Sequence, residues 1–312
     1  MQSDKKSDTN IVREYIRYLK LARNFSPNTV MAYQHDLRYL LDFCAKEGQS
    51  PLTLGIDDLH RFAASIHDHG VKASSQARIL SGVRSFYHYL VDESYLDDDP
   101  SELLESPQLG VHLPEVLCTE EVDMLEASID VSKPEGHRNR AIIEVLFSCG
   151  LRVSELVNLK ISNIFREEMY LRIMGKGSKE RLVPISEKAL QELDLWFAVR
   201  RTMNIKHGEE DYVFLNRRGA HLTRTMILIM IKRQALEAGI TKTISPHTLR
   251  HSFATELLKG GADLRFIQAM LGHEYIGTTE IYTHIDDTML RQEILLHHPR
   301  NIRYRRLHPD AK

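Results

Sequence analysis

The stretch Tyr170-Leu-Arg-Ile-Met-Gly-Lys-Gly-Ser-Lys-Glu-Arg-Leu-Val-Pro-Ile185 decides the fold class of this 312-residue chain. Its two ends, Tyr170–Met174 and Arg181–Ile185, are short apolar-rich runs, and the glycine-containing segment between them is typical of a turn. Elsewhere the apolar residues recur at the three- and four-residue spacing of helices. The sequence therefore predicts a mainly α protein with a small β-hairpin or sheet.

The first hundred residues show the spacing of four amphipathic helices. Ser26-Pro27 is a typical helix start, with serine as the N-cap and proline at the first helical position. The following stretch, from Asp97 to Pro114, is acidic and rich in turn residues. At roughly 150 residues per domain, two domains are expected. We predict a helical domain over residues 1–107, a linker over 108–116 and a second domain over 117–312.

Composition and charge exclude several classes of protein. A hydrophobic fraction of 42% argues against disorder, and three scattered cysteines argue against a disulfide framework or a cysteine-based metal site. The chain contains neither a run of about 20 apolar residues nor the apolar core of a signal peptide, so we expect a cytoplasmic protein.

The net charge of −2 conceals two basic flanks around an acidic middle, since residues 85–132 contain 13 acidic residues and no Lys or Arg. Basic flanks suit a polyanion, although ordinary charge scatter explains them equally well.

Two motifs place arginine near the start of a helix. In Ser245-Pro246-His247-Thr248-Leu249-Arg250, serine caps the helix, so His247 lies in its first turn and Arg250 follows on the same face. In Cys149-Gly150-Leu151-Arg152, glycine ends one helix and the next begins at once; Glu155 could brace the Arg152 guanidinium. A positive helix end that also carries arginine suits a phosphate. Taken alone, the first motif is also explained by an ordinary capped helix, and the second by a surface ion pair between Arg152 and Glu155.

Three further side chains complete the candidate site. Lys176 lies between two glycines at the tip of the predicted hairpin, where a lysine can reach into a groove. His273 follows a helix that ends at Gly272, and Tyr282 lies one turn into the next predicted helix. Together the six residues include neither a carboxylate pair nor a metal cluster, and they suit the attack of a tyrosine hydroxyl on a phosphodiester. The arginines would offset the charge of the transition state, lysine would protonate the leaving oxygen and histidine would accept the tyrosine proton.

These motifs, in this order, resemble those of the tyrosine recombinases (the phage integrase family) of the Xer type, and the resemblance covers nearly the whole chain. It implies a helical core-binding domain and a catalytic domain that form a C-shaped clamp on double-stranded DNA. It also implies roles for the matching residues. Tyr282 would be the nucleophile that becomes joined to the 3′ phosphate, Arg152 and Arg250 would bind that phosphate, and Lys176 would be the general acid. His247 would transfer protons, and His273 would hydrogen-bond the phosphate.

The resemblance further implies a cofactor-free recombinase that exchanges strands through a Holliday junction. Four protomers, identical or including a paralogue, would act on two recombination sites at the nucleoid, and no membrane partner is expected. Chromosome-dimer resolution, mobile-element movement and promoter inversion all fit this hypothesis. The C-terminal segment with Leu290, Ile294 and Leu295 resembles a helix that docks onto a neighbouring protomer, although it could equally pack on its own core.

Two other functions remain compatible with parts of the sequence. A type IB topoisomerase uses the same chemistry. A non-catalytic regulator could use Arg250–Lys259 and Asp263–Leu271 as a helix-turn-helix whose second helix enters the major groove. That second interpretation leaves Arg152, Lys176 and Tyr282 without a role.

Overall fold

The computed structural model describes residues 2–108, 110, 115–175, 180–272 and 287–307. The chain folds into two compact units, residues 1–112 and 113–312. The predicted linker, residues 108–116, spans this division, and its bounds stay a prediction. The mainly α fold with one small sheet is confirmed.

The first unit consists of helices, as the sequence predicts. They are α1 (Gln2–Leu21), α2 (Pro27–Glu47), α3 (Ile56–Asp68) and α4 (Ala73–Asp92). Ser26 caps α2, since its hydroxyl accepts a hydrogen bond from the Thr29 backbone amide at 3.2 Å. The apolar faces of the four helices meet in one core, and its largest fully buried side chains are Tyr15, Tyr87, Phe62 and Phe86.

The second unit combines helices with the sheet. Its helices are α5 (Thr119–Ala127), α6 (Pro134–Cys149), α7 (Val153–Val157), α8 (Glu187–Arg200), α9 (Arg224–Glu237), α10 (Pro246–Lys259), α11 (Leu264–Leu271), α12 (Asp287–His297) and α13 (Pro299–Leu307). Helix α6 lies at the centre, because every side chain from Ala141 to Cys149 is buried. It packs against α8 and α10.

The two predicted strands pair with each other and belong to a three-stranded antiparallel sheet of order β1-β2-β3. The strands are β1 (Ile164–Phe165), β2 (Tyr170–Met174) and β3 (Glu180–Pro184). The register pairs Leu171 with Val183, and both side chains face the core. Strand β1 was not predicted, because two residues are too few to show the alternation that marks a strand.

The C-terminal segment packs on its own unit in this single chain. Leu290 and Ile294 of α12 are buried in an apolar cluster with Phe253, Leu257 and Ile267. This is the second of the two arrangements that the sequence allowed; docking onto a neighbouring protomer stays a prediction.

Residues 300–306 include four arginines, yet the side chain of the first of them, Arg300, is only 2% exposed. Its Nε lies 3.0 Å from a carboxylate oxygen of Glu144, and its Nη2 lies 3.4 Å from one of Glu126. Arg300 also pairs with Asp123, and Lys188 lies 2.5 Å from Glu126. Burial and the neighbouring Glu144 raise the pKa of Glu126. Arg300 therefore neutralises buried carboxylates and fixes α13 to α5 and α6.

Replacing Arg300 by methionine is expected to reduce the free energy of unfolding of the second unit by about 3–5 kcal/mol, because it leaves buried carboxylates without their main counter-charge. Trp196, the single tryptophan of the chain, is buried in the core of this unit, so its fluorescence follows this unit in a urea titration. Arg305→Met, on the exposed side of the same helix, is the control and should change stability by less than about 0.5 kcal/mol. Equal stabilities of the two variants would show that the buried cluster contributes little.

In the ranges that the structure describes, no helix combines the length and the apolar character needed to cross a bilayer.

Candidate active site

A glycine places Arg152 beside the end of α6. Gly150 adopts a left-handed conformation, with φ of 59°, and ends the helix. A Cβ at this position would lie 2.4 Å from the Phe253 ring, so only glycine lets α6 and α10 approach so closely. Arg152 is then the N-cap residue of α7, as the sequence predicts for a residue near a helix start.

Glu155 braces Arg152, which confirms the sequence expectation. One carboxylate oxygen, Oε1, accepts a hydrogen bond from Arg152 Nη1 at 2.9 Å. The other, Oε2, accepts one from the Arg152 backbone amide at 2.8 Å. The Glu155 side chain is 4% exposed and that of Arg152 is 34% exposed. The carboxylate is therefore a buried support, and the guanidinium remains partly open to solvent.

Helix α10 brings Arg250 to the same place. Its N-cap, Ser245, accepts a hydrogen bond from the Thr248 amide at 3.3 Å. Arg250 is buried and donates to the Gly150 carbonyl at 2.7 Å, and its Nη1 lies 4.0 Å from Glu155. His247 lies one turn earlier, in the first turn of α10, and is exposed. The structure thus brings Arg152 and Arg250 together around Glu155 and leaves the His247 side chain exposed.

A third arginine, Arg181 of β3, completes the cluster and was missed by the sequence analysis. Its Nη1 and Nη2 donate to the two oxygens of Glu155, each at 2.8 Å. Its side chain is 14% exposed. The alternation of β3 contains a signal, because Arg181 lies two residues before the buried Val183 and so shares its face of the strand. A charged side chain on an inward face requires a partner.

The three arginines also bind the end of α11 through three successive carbonyl oxygens. Met270 accepts from Arg181 at 3.0 Å, Leu271 from Arg250 at 2.6 Å and Gly272 from Arg152 at 3.1 Å. The last carbonyls of a helix have no partner within the helix, so these bonds satisfy them. The cluster therefore fixes Gly272, the residue that precedes His273.

The electrostatics of the cluster favour an anion. Three guanidinium groups surround one carboxylate, so the formal charge is +2. Burial, and after it the charge of Arg152, lowers the pKa of Arg250 to about 10, which still leaves it protonated near neutral pH. Burial alone would raise the pKa of Glu155, but hydrogen bonds and charge from Arg181, followed by hydrogen bonds from Arg152, lower it below its ordinary value. A partly exposed arginine in such a field suits a phosphodiester.

The other three predicted site residues, Lys176, His273 and Tyr282, lie outside the described residues. Their roles stay predictions. In the part of the chain that the structure describes, His, Cys, Asp and Glu side chains form no group of three or more that could hold a metal ion.

Comparisons with known proteins identify the family of this chain. The model of the phage integrase family matches residues 115–289, and that of the N-terminal SAM-like domain of phage integrases matches residues 12–94. Tyrosine recombinase XerD of Staphylococcus aureus is 39% identical over 292 residues, which is 93% of this chain and 99% of that protein. XerD of Staphylococcus haemolyticus is 38% identical over 291 residues, with the same coverage of both chains.

Two solved structures are similar over most of their length. The XerH site-specific recombinase bound to difH substrate, in a pre-cleavage complex, has a TM-score of 0.65 and 25% identity, with 94% of this chain and 88% of that chain covered. A lambda integrase dimer bound to a core site has a TM-score of 0.67 and 18% identity, with 86% and 95% covered, and shows the shared fold. On its sequence and its fold, this chain belongs to the phage integrase family, the tyrosine recombinases.

Proposed function

We propose that this protein is an Xer-type site-specific recombinase that cleaves and rejoins double-stranded DNA through a 3′-phosphotyrosyl intermediate. The observation that carries the proposal is the pair Arg152 and Arg250, held around the buried Glu155 at one end of α10. They occur in a chain that is 39% identical to XerD over nearly its full length. Two converging guanidinium groups are what a pentacoordinate phosphate, with its additional negative charge, requires.

In the proposed cleavage step, the phenolic oxygen of Tyr282 forms a bond to the scissile phosphorus, and the bond from phosphorus to the 5′ oxygen breaks. His247 accepts the phenolic proton, and Lys176 donates a proton to the leaving 5′ oxygen. Arg152 and Arg250 bind the non-bridging oxygens, together with His273. The product is a 3′-phosphotyrosyl ester and a free 5′ hydroxyl. Because one phosphoester replaces another, the reverse attack by a 5′ hydroxyl rejoins the strand without ATP.

For the assembly, we propose four protomers on two recombination sites, with strands exchanged through a Holliday junction and two protomers active at a time. The two domains would form a C-shaped clamp around the duplex at the nucleoid. Support for a DNA partner comes from the XerH complex with its difH substrate. The proposal covers both a tetramer of identical protomers and one that includes a paralogue, because either arrangement builds a closed tetramer.

The experiment that tests the function is covalent capture in cells. Cells that express the protein are lysed in hot detergent, the protein is purified under denaturing conditions, and the DNA that remains attached is sequenced. We expect reads that converge on one short site, with the protein on the 3′ phosphate. The free 5′ ends should accept label from a polynucleotide kinase without prior phosphatase treatment. Absence of attached DNA would contradict the proposal and favour the non-catalytic regulator.

Plasmid relaxation separates recombination from the type IB topoisomerase, which forms the same ester. The assay uses two plasmids, one that carries two copies of the captured site and one that lacks it. A recombinase should recombine two copies of the site and leave the plasmid without it supercoiled. Efficient relaxation of the plasmid that lacks the site would favour the topoisomerase.

The described part of the site also favours a catalytic function over that of a non-catalytic helix-turn-helix regulator. Helix α11 would be the recognition helix in that interpretation. Its Ile267, Met270 and Leu271 are buried, and its last carbonyls accept hydrogen bonds from the arginine cluster. The end of this helix is therefore bound to the arginine cluster, a feature that the helix-turn-helix interpretation does not explain.

A further inference from the structure

We propose that Arg181 is a positioning residue for cleavage, which acts by holding Glu155 so that Arg152 and Arg250 remain available to the phosphate. The proposal rests on the function proposed above and assigns a role to a side chain outside the six predicted site residues.

The first argument is the geometry of Glu155. Its two oxygens accept four hydrogen bonds of 2.8–2.9 Å, two from Arg181 and two from Arg152. Arg181 binds in the bidentate manner that gives arginine–carboxylate pairs both strength and a fixed orientation. Arg152 uses one guanidinium nitrogen and its backbone amide. Arg181 therefore supplies half of the hydrogen bonds that orient the carboxylate, and through the carboxylate it helps to orient the Arg152 guanidinium.

The second argument is charge. Arg250 Nη1 lies 4.0 Å from Glu155 Oε2, close enough to move into a hydrogen bond if that oxygen loses the donor that Arg181 supplies. A buried carboxylate that has lost half of its hydrogen bonds is costly, so removal of Arg181 would draw the other two guanidinium groups closer to Glu155. The formal charge of the cluster would also fall from +2 to +1. Arg181 thus supplies the counter-charge that the two phosphate-binding arginines would otherwise have to supply.

The third argument is connectivity. Arg181 is the second residue of β3, and its Nε donates to the Met270 carbonyl at 3.0 Å. It pairs in register with Ile173 of β2, the strand after which Lys176 follows. One side chain therefore joins the β2–β3 pair, the Glu155 carboxylate and the end of α11. A displacement of about 1 Å in such a site can cost about 100-fold in rate.

The test measures single-turnover cleavage of a nicked duplex that carries the captured site, at saturating protein. We expect Arg181→Met to cleave about 100-fold more slowly, with its dissociation constant for DNA within about threefold of the wild type. Arg181→Lys should be intermediate, because an ammonium retains the charge but cannot reproduce the bidentate pair. Arg172→Met is the matched control from the neighbouring strand, since Arg172 lies 4.8 Å from the Phe165 ring centroid and outside the cluster. It should cleave like the wild type.

A double-mutant cycle with Glu155→Gln tests the mechanism. If Arg181 acts through Glu155, adding Arg181→Met to Glu155→Gln should reduce the rate by less than about threefold, because the buried charge that needed Arg181 is gone. Undiminished cleavage by Arg181→Met, or a loss equally large in both backgrounds, would overturn the proposal. Trp196 fluorescence of every variant in urea separates a folding defect from a loss of positioning. Failure of the recombinase proposal can be distinguished from failure of the Arg181 proposal, because in the first case the wild type itself would form no covalent product.

Discussion

Arg152→Ala is expected to slow covalent cleavage by about a thousandfold while DNA affinity falls by less than about tenfold. The Arg152 side chain is 34% exposed, so its guanidinium remains open to solvent while Glu155 and the Gly272 carbonyl hold it in place. We expect the Arg152 guanidinium to stabilise the transition state more than the bound ground state, because negative charge develops on the phosphate as the reaction proceeds. Ground-state binding to the duplex is shared among many lysines and arginines, and each phosphate contact contributes only part of it.

The measurement pairs two assays on the same DNA. Single-turnover trapping on the nicked duplex gives the cleavage rate, and a gel-shift titration gives the dissociation constant. Arg166→Ala is the control for loss of one positive charge in the same unit, since Arg166 pairs with Asp194 and both are about half exposed. It should leave the cleavage rate unchanged. Equal losses of rate and affinity in Arg152→Ala would assign this residue to general DNA binding.

Features that depend on neighbours in sequence could be predicted. Ser26-Pro27 and Ser245-Pro246 begin helices as expected, because capping is decided within one turn. Glu155 braces Arg152 because residues three apart at a helix start face each other. The apolar alternation that predicts β2 and β3 also acts over a few residues. In each case the interaction that determines the structure forms between residues only a few positions apart in the sequence.

Features that depend on distant parts of the chain could not be predicted. Arg181 meets Glu155 from 26 positions away, and the end of α11 from 89. Arg300 lies in a stretch with four arginines in seven residues, yet it neutralises carboxylates that lie more than 150 positions earlier. His247 and Arg250 share a helix, but only Arg250 is buried, because Gly150 brings α6 close to α10. A sequence pattern can indicate that a buried charged group needs a partner, but it does not identify which residue is that partner.

Tyr282→Phe is expected to abolish the covalent product completely while the protein still binds and assembles on DNA. The substitution removes only the phenolic oxygen, which is the atom that bonds to phosphorus in the proposed step. A phenol of pKa about 10 must lose its proton to attack, and positive charge such as that of the Arg152 and Arg250 cluster favours this loss. Burial raises the pKa of Tyr15 and Tyr87 in the first unit, which makes their phenols unsuitable as nucleophiles.

The measurement is the protein–DNA band on a denaturing gel after incubation with the nicked duplex, followed by peptide mapping of the attached residue. Tyr275→Phe is the matched control, since it removes a phenol seven positions earlier in the same segment. We expect the band at wild-type intensity in Tyr275→Phe and its absence in Tyr282→Phe. A band that survives in Tyr282→Phe would identify another nucleophile, and the mapped peptide would show which one. In that case the arginine cluster would still explain phosphate binding, but the order of motifs that makes Tyr282 the attacking group would be wrong for this chain.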